Sequence, residues 1–264
     1  MTVTDKKLAV WFDHKNRQCA QALSNRLGLP LTDVDIKFSE YQYVLLVSAR
    51  GLTLQQTGKK ASGPVCIDFT SGAVAHRRSQ GGGELIIKAL GGSKQNPPRV
   101  IDVTAGLGRD SFVMANWGCV VTMLERSAII AELLADGLAR AASSDDNELL
   151  KVIARMNLQR VDAVEYLQTL SSDLYPDVIY IDPMFPASKK SALVKKEMQA
   201  FHQVVGADQD SDKLLRIALQ RAIHRVVVKR PKKSEFLDDL APAYSIEGKA
   251  VRFDVYSLKA FSRN

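Results

Sequence analysis

Three cysteines in 264 residues, Cys19, Cys66 and Cys119, are too few and too scattered for a disulfide frame or a zinc pattern. They read as reduced thiols of a cytosolic protein. No apolar run approaches the ~18 residues of a membrane helix. Met1 to Lys7 is polar and lacks the apolar core of a signal peptide. A cytoplasmic location without membrane contact is therefore expected. His76 has no partner at metal-ligand spacing, so no metal site is expected either. The dinucleotide fingerprint Gly-x-Gly-x-x-Gly is also incomplete. Gly106 and Gly108 are in place, but Ser111 stands where the third glycine belongs.

What is present is length and unevenly placed charge. A chain of this size can bury a full core, as one large domain with a smaller attachment. The formal net charge is +7. Between Lys189 and Lys233 twelve basic residues face only Glu197, Asp208, Asp210 and Asp212, so this block alone carries +8 and the rest of the chain is close to neutral. A basic block beside a neutral scaffold suits a polyanion, although a solvated basic helix face would look the same.

The organising stretch is Asp102-Val103-Thr104-Ala105-Gly106-Leu107-Gly108-Arg109-Asp110. An apolar run, 99–103, leads into it, and a helical pattern, 109–117, leads out. Strand, glycine turn and helix start together form a cradle for a nucleotide cofactor. Glycine lets the backbone approach the ligand, and the first helical turn offers unpaired N–H groups. An ordinary strand-to-helix turn would share these features, so the remaining chain must decide.

Residues 1–62 read as a small N-terminal α/β unit and 63–264 as the catalytic domain. The first unit has a helical stretch from Asn16 to Leu27, stopped by Gly28-Leu29-Pro30, then a strand from Tyr41 to Ser48 turning at Ala49-Arg50-Gly51. Residues 55–63 read as the linker, and Trp11 and Phe12 as core. Beyond it, 65–69 is a short strand candidate and 84–90 a helix. Arg77 and Arg78, beside the triple glycine 81–83, suit phosphate contact or a solvated loop. From 99 onward strands at 99–103, 120–125, 158–162, 177–181 and 225–229 alternate with helices near 109–117, 127–142, 163–171, 189–205 and 212–224. Alternation implies an α/β fold with a mostly parallel sheet and a ligand at the carboxyl ends of its strands. The last segments, 243–247 and 251–258 around Gly248, read as a hairpin, so the final strand should be antiparallel. That reversal is a feature of class I methyltransferases and unusual in nicotinamide-binding folds.

Carboxylates end the strands. Glu125, after the second, can accept both hydroxyls of an adenosine ribose, though nicotinamide enzymes use the same device. Asp162, followed by Ala163, can accept from an adenine amino group or cap the helix that follows, and the two roles are compatible. The fourth strand runs into Asp182-Pro183-Met184-Phe185-Pro186. A proline turn there fixes Asp182 and nearby carbonyls as acceptors around one amino group, and Phe185 can stack on a flipped-out base. This segment is similar to the Asp/Asn-Pro-Pro-aromatic motif of amine-directed methyltransferases, with Met184 in place of the second proline.

Together, 102–110, Met123-Leu124-Glu125-Arg126, 182–186, Ser191-Ala192-Leu193-Val194-Lys195-Lys196-Glu197-Met198, Val226-Val227-Val228-Lys229-Arg230-Pro231 and Ala75-His76-Arg77-Arg78 resemble the ribosomal RNA small subunit methyltransferase J family. The likeness runs over about 64–256. It implies a class I, Rossmann-like fold with a seven-stranded sheet. It also implies S-adenosylmethionine (SAM) as methyl donor, S-adenosylhomocysteine as product and no metal, and methylation of one guanine N2 in 16S rRNA of the small ribosomal subunit. No obligate protein partner is implied. Cofactor contacts are then expected at Asp102, Gly106, Gly108, Arg109, Asp110, Glu125, Arg126, Asp162, Ala163 and Asp182. Asp182, Pro183 and Phe185 would form the catalytic segment. Phosphate contacts are expected from Arg77, Arg78, Lys189, Lys190, Lys195, Lys196, Lys229 and Arg230. Val194, Met198, Phe201 and Val205 make a core-facing helical stripe, which puts Lys189 and Lys196 on the opposite, solvent face. Adenine N6, cytosine N4 and protein glutamine are alternative targets for the same motif, as is a catalytically silent RNA-binding assembly factor. A nicotinamide-dependent oxidoreductase is disfavoured by Ser111 and by the terminal hairpin.

Overall fold

The structure, a computed structural model, describes residues 7–12, 15–59, 61, 63–71, 84–183 and 210–261. In chain order these form β1 (Leu8–Phe12), α1 (Arg17–Leu27), β2 (Leu31–Thr32), β3 (Tyr43–Ser48), β4 (Gly51–Gln56), α2 (Glu84–Leu90), β5 (Val100–Asp102), α3 (Arg109–Trp117), β6 (Val121–Leu124), α4 (Ala128–Ala142), α5 (Asn147–Ile153), β7 (Met156–Gln159), α6 (Ala163–Thr169), β8 (Val178–Ile181), α7 (Ser211–Arg221), β9 (Arg225–Pro231), β10 (Tyr244–Glu247) and β11 (Val251–Ser257). They fall into two compact units. One takes the described residues of 1–68 with Ala128–Arg140, and the other takes Phe69–Ser127, 141–183 and 210–261.

The first unit is built on a sheet of order β2-β1-β3-β4, in which β1 runs parallel to β2 and β3, and β4 turns back on β3. Helix α1 makes the crossover and buries Ala20 and Leu23. It ends at Gly28, whose φ of 63° is the left-handed value that a helix C-terminus asks of glycine. The sequence reading missed β1 because Leu8 to Phe12 is a short unbroken apolar run without alternation. Such a run does not by itself distinguish strand from helix. Residues 65–69, expected as a strand, contribute only an isolated antiparallel bridge from Val65 to Leu54.

The second unit carries a seven-stranded sheet of order β10-β11-β9-β8-β5-β6-β7. Strands β9, β8, β5, β6 and β7 are mutually parallel, and β11 is antiparallel to both β9 and β10. The expected terminal reversal is thus present. Ile101, Ile179, Ile181, Val226 and Val228 project from one face and pack with Leu167 of α6 and with Leu214, Leu215 and Ala218 of α7. Because side chains alternate, Asp102, Tyr180 and Val227, which lie opposite one another in register, occupy the other face. That face becomes polar toward the carboxyl ends of the strands, where the site lies.

Two boundaries differ from expectation. The strand expected at 158–162 is β7, Met156–Gln159, because Asp162 turns its carboxylate onto the next helix and ends the strand early. Helix α5 was not foreseen. It begins at Asp146, whose Oδ1 accepts from the N–H groups of Glu148 and Leu149. The helix expected over 189–205, with its apolar stripe, lies outside the described residues.

Candidate active site

The glycine turn is fixed from below by the carboxylate that ends β5. Asp102 is 2% exposed. Its Oδ2 accepts from the Ser111 hydroxyl at 2.5 Å, and its Oδ1 accepts from the Thr104 N–H at 3.1 Å. The Thr104 hydroxyl in turn accepts from the Asp182 N–H at 2.6 Å, joining the end of β5 to the end of β8. Gly106 and Gly108 have φ of 51° and 69°, the left-handed conformation that lets the chain double back before α3. Gly108 supplies no side-chain cap, so the first N–H groups of α3 face outward without an internal acceptor from the cap residue. Ser111, the residue that breaks the dinucleotide fingerprint, is fully buried and holds Asp102.

Glu125 follows β6 and is 8% exposed. Its two oxygens accept from the N–H groups of Gly106 (3.0 Å) and Ser127 (2.7 Å), so it ties the glycine turn to the next strand. A carboxylate oxygen can accept more than one hydrogen bond, the property a ligand hydroxyl would use at Glu125. Arg126 and Arg109 are exposed, and Arg126 pairs with Asp210 at 3.2 Å. Asp162 is the N-cap of α6, its Oδ1 accepting from Val164 and Glu165 N–H, while Ala163 is buried as the first residue of that helix.

At the centre two carboxylates converge on one ammonium. Lys229 Nζ donates to Asp110 Oδ2 at 2.7 Å and to Asp182 Oδ2 at 2.8 Å. The buried Tyr180 hydroxyl donates to the same Asp110 oxygen at 2.6 Å. Burial pushes the Asp182 carboxyl up, to about 6; Lys229 pulls it down and Asp110 pushes it further up. Even so, 35% of the Asp182 side-chain surface stays accessible, enough to meet a ligand. Burial drives Asp102 to about 7 against the opposing hydrogen bonds from Ser111 and Thr104. Burial would depress Lys229, but Asp182 and Asp110 outweigh it and hold the ammonium above its ordinary value.

The carboxyl ends of the strands therefore bring together Asp102, Gly106, Gly108, Asp110, Glu125 and Asp182. Pro183 is buried directly after Asp182. Phe185, Arg77, Arg78, Lys189, Lys190, Lys195 and Lys196 lie outside the described residues. Lys229 and Arg230 meet a different geometry from the expected phosphate contact. Lys229 is held between Asp110 and Asp182. Arg230 is 7% exposed and donates to the Glu235 carbonyl, sharing that loop with Arg252. Neighbouring residues of a strand point to opposite faces, so a Lys-Arg pair there cannot form one basic patch. Thr104, Ser111, Tyr180 and Lys229 were not foreseen as partners of the strand-end carboxylates. The available signal was that Thr104, Tyr180 and Lys229 lie on or beside strand ends already singled out, and that Ser111 stands where the third glycine of the fingerprint would be.

The donor set suits SAM. Glycines open the backbone at a helix start, a carboxylate follows the second strand, and three further carboxylates outnumber one ammonium where a sulfonium and an amino group would add positive charge. Among the described residues no three His, Cys, Asp or Glu side chains are grouped to hold a metal ion, and no helix is long and apolar enough to cross a membrane.

Residues 24–258 match a family model described as "Putative SAM-dependent methyltransferase". Proteins named ribosomal RNA small subunit methyltransferase J are similar over nearly the whole chain. The one from Cellvibrio japonicus is 51% identical, covering 91% of this chain and 93% of its own. Those from Coxiella burnetii and Pseudomonas syringae are 49% and 47% identical, covering 92% and 96% of this chain and 93% and 90% of theirs. The crystal structure of a SAM-dependent methyltransferase from Neisseria gonorrhoeae superposes with a TM-score of 0.73 at 38% identity, covering 94% of this chain and 95% of that one.

Proposed function

Because the chain belongs to the ribosomal RNA small subunit methyltransferase J family of SAM-dependent enzymes, we propose that it transfers a methyl group from SAM to the exocyclic N2 of a guanine in 16S rRNA. The observation that carries this reading is the juxtaposition at the ends of β5 and β8. An Asp-Pro segment built to accept from an amino group is bonded through Thr104 to the turn built to hold an adenosyl cofactor. The relatives' names support rRNA as the substrate, and a cytoplasmic location is part of the same proposal. The amine-directed segment supplies the target atom type, and the guanine assignment rests on the family likeness. Lys189, Lys190, Lys195 and Lys196, with Arg77 and Arg78, are proposed to contact the phosphate backbone.

When bound, SAM supplies an electrophilic methyl on a sulfonium. Glu125 would accept from the ribose hydroxyls, and Asp162 from the adenine amino group beside the Ala163 N–H. The first turn of α3, with Arg109 and Asp110, would hold the amino-acid end together with Arg126. Asp102 keeps the turn in shape from beneath. The protein's main task is orientation, since the guanine amine is a poor nucleophile whose lone pair is delocalised into the ring. Asp182 and the carbonyls after it accept from the amine N–H groups, favouring a pyramidal nitrogen. The Asp182 carboxylate then takes the proton released as the new N–C bond forms. Phe185 would stack on the base.

Asp182→Ala tests the reading. With labelled SAM and undermethylated small subunits, label should enter wild-type reactions at a guanine N2. Transfer should fall at least about a thousandfold in the variant, while SAM binding by calorimetry stays measurable. Wild-type turnover in the variant refutes the role of Asp182, and label on another base refutes the target.

A further inference from the structure

In the basic segment 226–231, Lys229 is the cation that meets the strand-end carboxylates. Lys229 lies two residues beyond Val227, which is opposite Tyr180 in register, so Lys229 and Asp182 meet at matching heights on adjacent parallel strands. Its ammonium is 2.8 Å from Asp182 and 2.7 Å from Asp110, which is in the first turn of α3. One cation therefore joins the amine-accepting strand end to the cofactor-side helix start. Tyr180 fixes Asp110 from the other direction.

We propose that Lys229 is a positioning residue for methyl transfer, a tether that fixes the Asp182 carboxylate relative to Asp110 and keeps it in its anionic, hydrogen-bond-accepting form. The proposal rests on the reading of Asp182 above. Lys229 occupies Oδ2 of Asp182, so Oδ1 is the oxygen offered to an incoming N–H. Without the ammonium, Asp182 would face Asp110 and Asp102 with no other counter-charge among the described residues. A carboxyl in that setting takes up a proton, and a protonated carboxyl is a weaker acceptor that cannot receive the departing proton. Lys229 itself stays protonated between two carboxylates, so it acts as a fixed charge and leaves the proton to Asp182. Among the described residues, the titratable groups facing Asp182 are Lys229 from β9, Asp110 from α3, Asp102 from β5 and Tyr180 from β8.

The test pairs Lys229→Met and Lys229→Arg with carboxyl-carbon NMR titration of Asp182, its resonance assigned by Asp182→Asn. The Lys229→Met titration midpoint should rise by about one pH unit or more. The acid limb of kcat should move up with it, kcat at pH 7 should fall by about tenfold or more, and KM for SAM should change by less than about threefold. Lys229→Arg should bring the midpoint back toward wild type. An unchanged midpoint, or a fall in kcat with an unshifted pH profile, overturns the proposal. Should Lys229→Met fail to fold, the wild-type protein decides. The Lys229 side-chain nitrogen resonance must respond at the Asp182 midpoint, and a flat response overturns the tether. These titrations need no RNA. A wild type that fails to methylate rRNA would sink the substrate reading, whereas a methylating wild type with no Lys229 effect would sink the tether alone.

Discussion

Asp102→Asn is the substitution whose outcome follows most directly from the structure. Asp102 is buried at the foot of the glycine turn, and burial raises its carboxyl from 3.8 to about 7. A folded-state value above the unfolded one means that folding favours the protonated form. This group's stabilising contribution is complete below about pH 4 and is lost as pH rises through about 7. Each unit of difference is about 1.4 kcal/mol, so full ionisation costs about 4 kcal/mol, of which about 2–3 kcal/mol falls between pH 5 and pH 8. Asparagine keeps the shape. Its oxygen can accept from the Thr104 N–H, and its amide can donate to the Ser111 hydroxyl, which rotates to accept.

The variant should therefore gain on wild type as pH rises, by about 2–3 kcal/mol between pH 5 and pH 8. Urea unfolding of both proteins at the two pH values measures this, since other titrating groups cancel in the difference. Equal differences at both pH values would show that Asp102 does not change its proton occupancy on folding, and the account of the turn as a buried, partly protonated clasp would be wrong.

Two further substitutions probe the frame around the site. Asp162→Ala removes the N-cap of α6 and should cost about 1 kcal/mol in urea unfolding. Calorimetry should also show weaker SAM binding, whereas unaltered affinity would confine Asp162 to capping. Arg252→Met strands the fully buried Asp254 and releases the carbonyls of Lys232 and Ser234. It should cost about 3–5 kcal/mol, and Arg252→Met with Asp254→Leu should recover most of that. A small loss in the single variant would show that the pair is solvated in solution.

The sheet was legible because its central strands are short apolar runs between glycine turns and helical patterns. The terminal hairpin was legible because Gly248 sits between two β-prone segments. The strand before Asp162 was placed too far along, since Val161 is a further β-branched residue close behind Leu158, although Gln159 and Arg160 break the alternation. The competing pull of a carboxylate on the N–H groups of Val164 and Glu165 is decided only once α6 forms. Leu8 to Phe12 shows the converse difficulty, in that a central strand of the small sheet has nothing periodic to mark it.

In the site, the strand-end carboxylates could be read because each sits at a break between a strand and a turn. Their partners could not. Lys229 lies 47 residues from Asp182 and 119 from Asp110, and Thr104 lies 78 from Asp182. These meetings are facts of register between parallel strands, which sequence spacing does not encode. The same register assigns opposite duties to two adjacent basic residues. Arg230 pairs with Arg252 across an antiparallel ladder and holds a loop, while Lys229, one residue earlier, faces the crevice. Counted as charges they are equivalent, and a basic block assigned wholesale to a polyanion absorbs both. Separated by face, one becomes scaffold and the other counter-charge to the carboxylate that meets the substrate. A polyanion surface must then be sought in the block's remaining lysines and in the arginines beside the triple glycine.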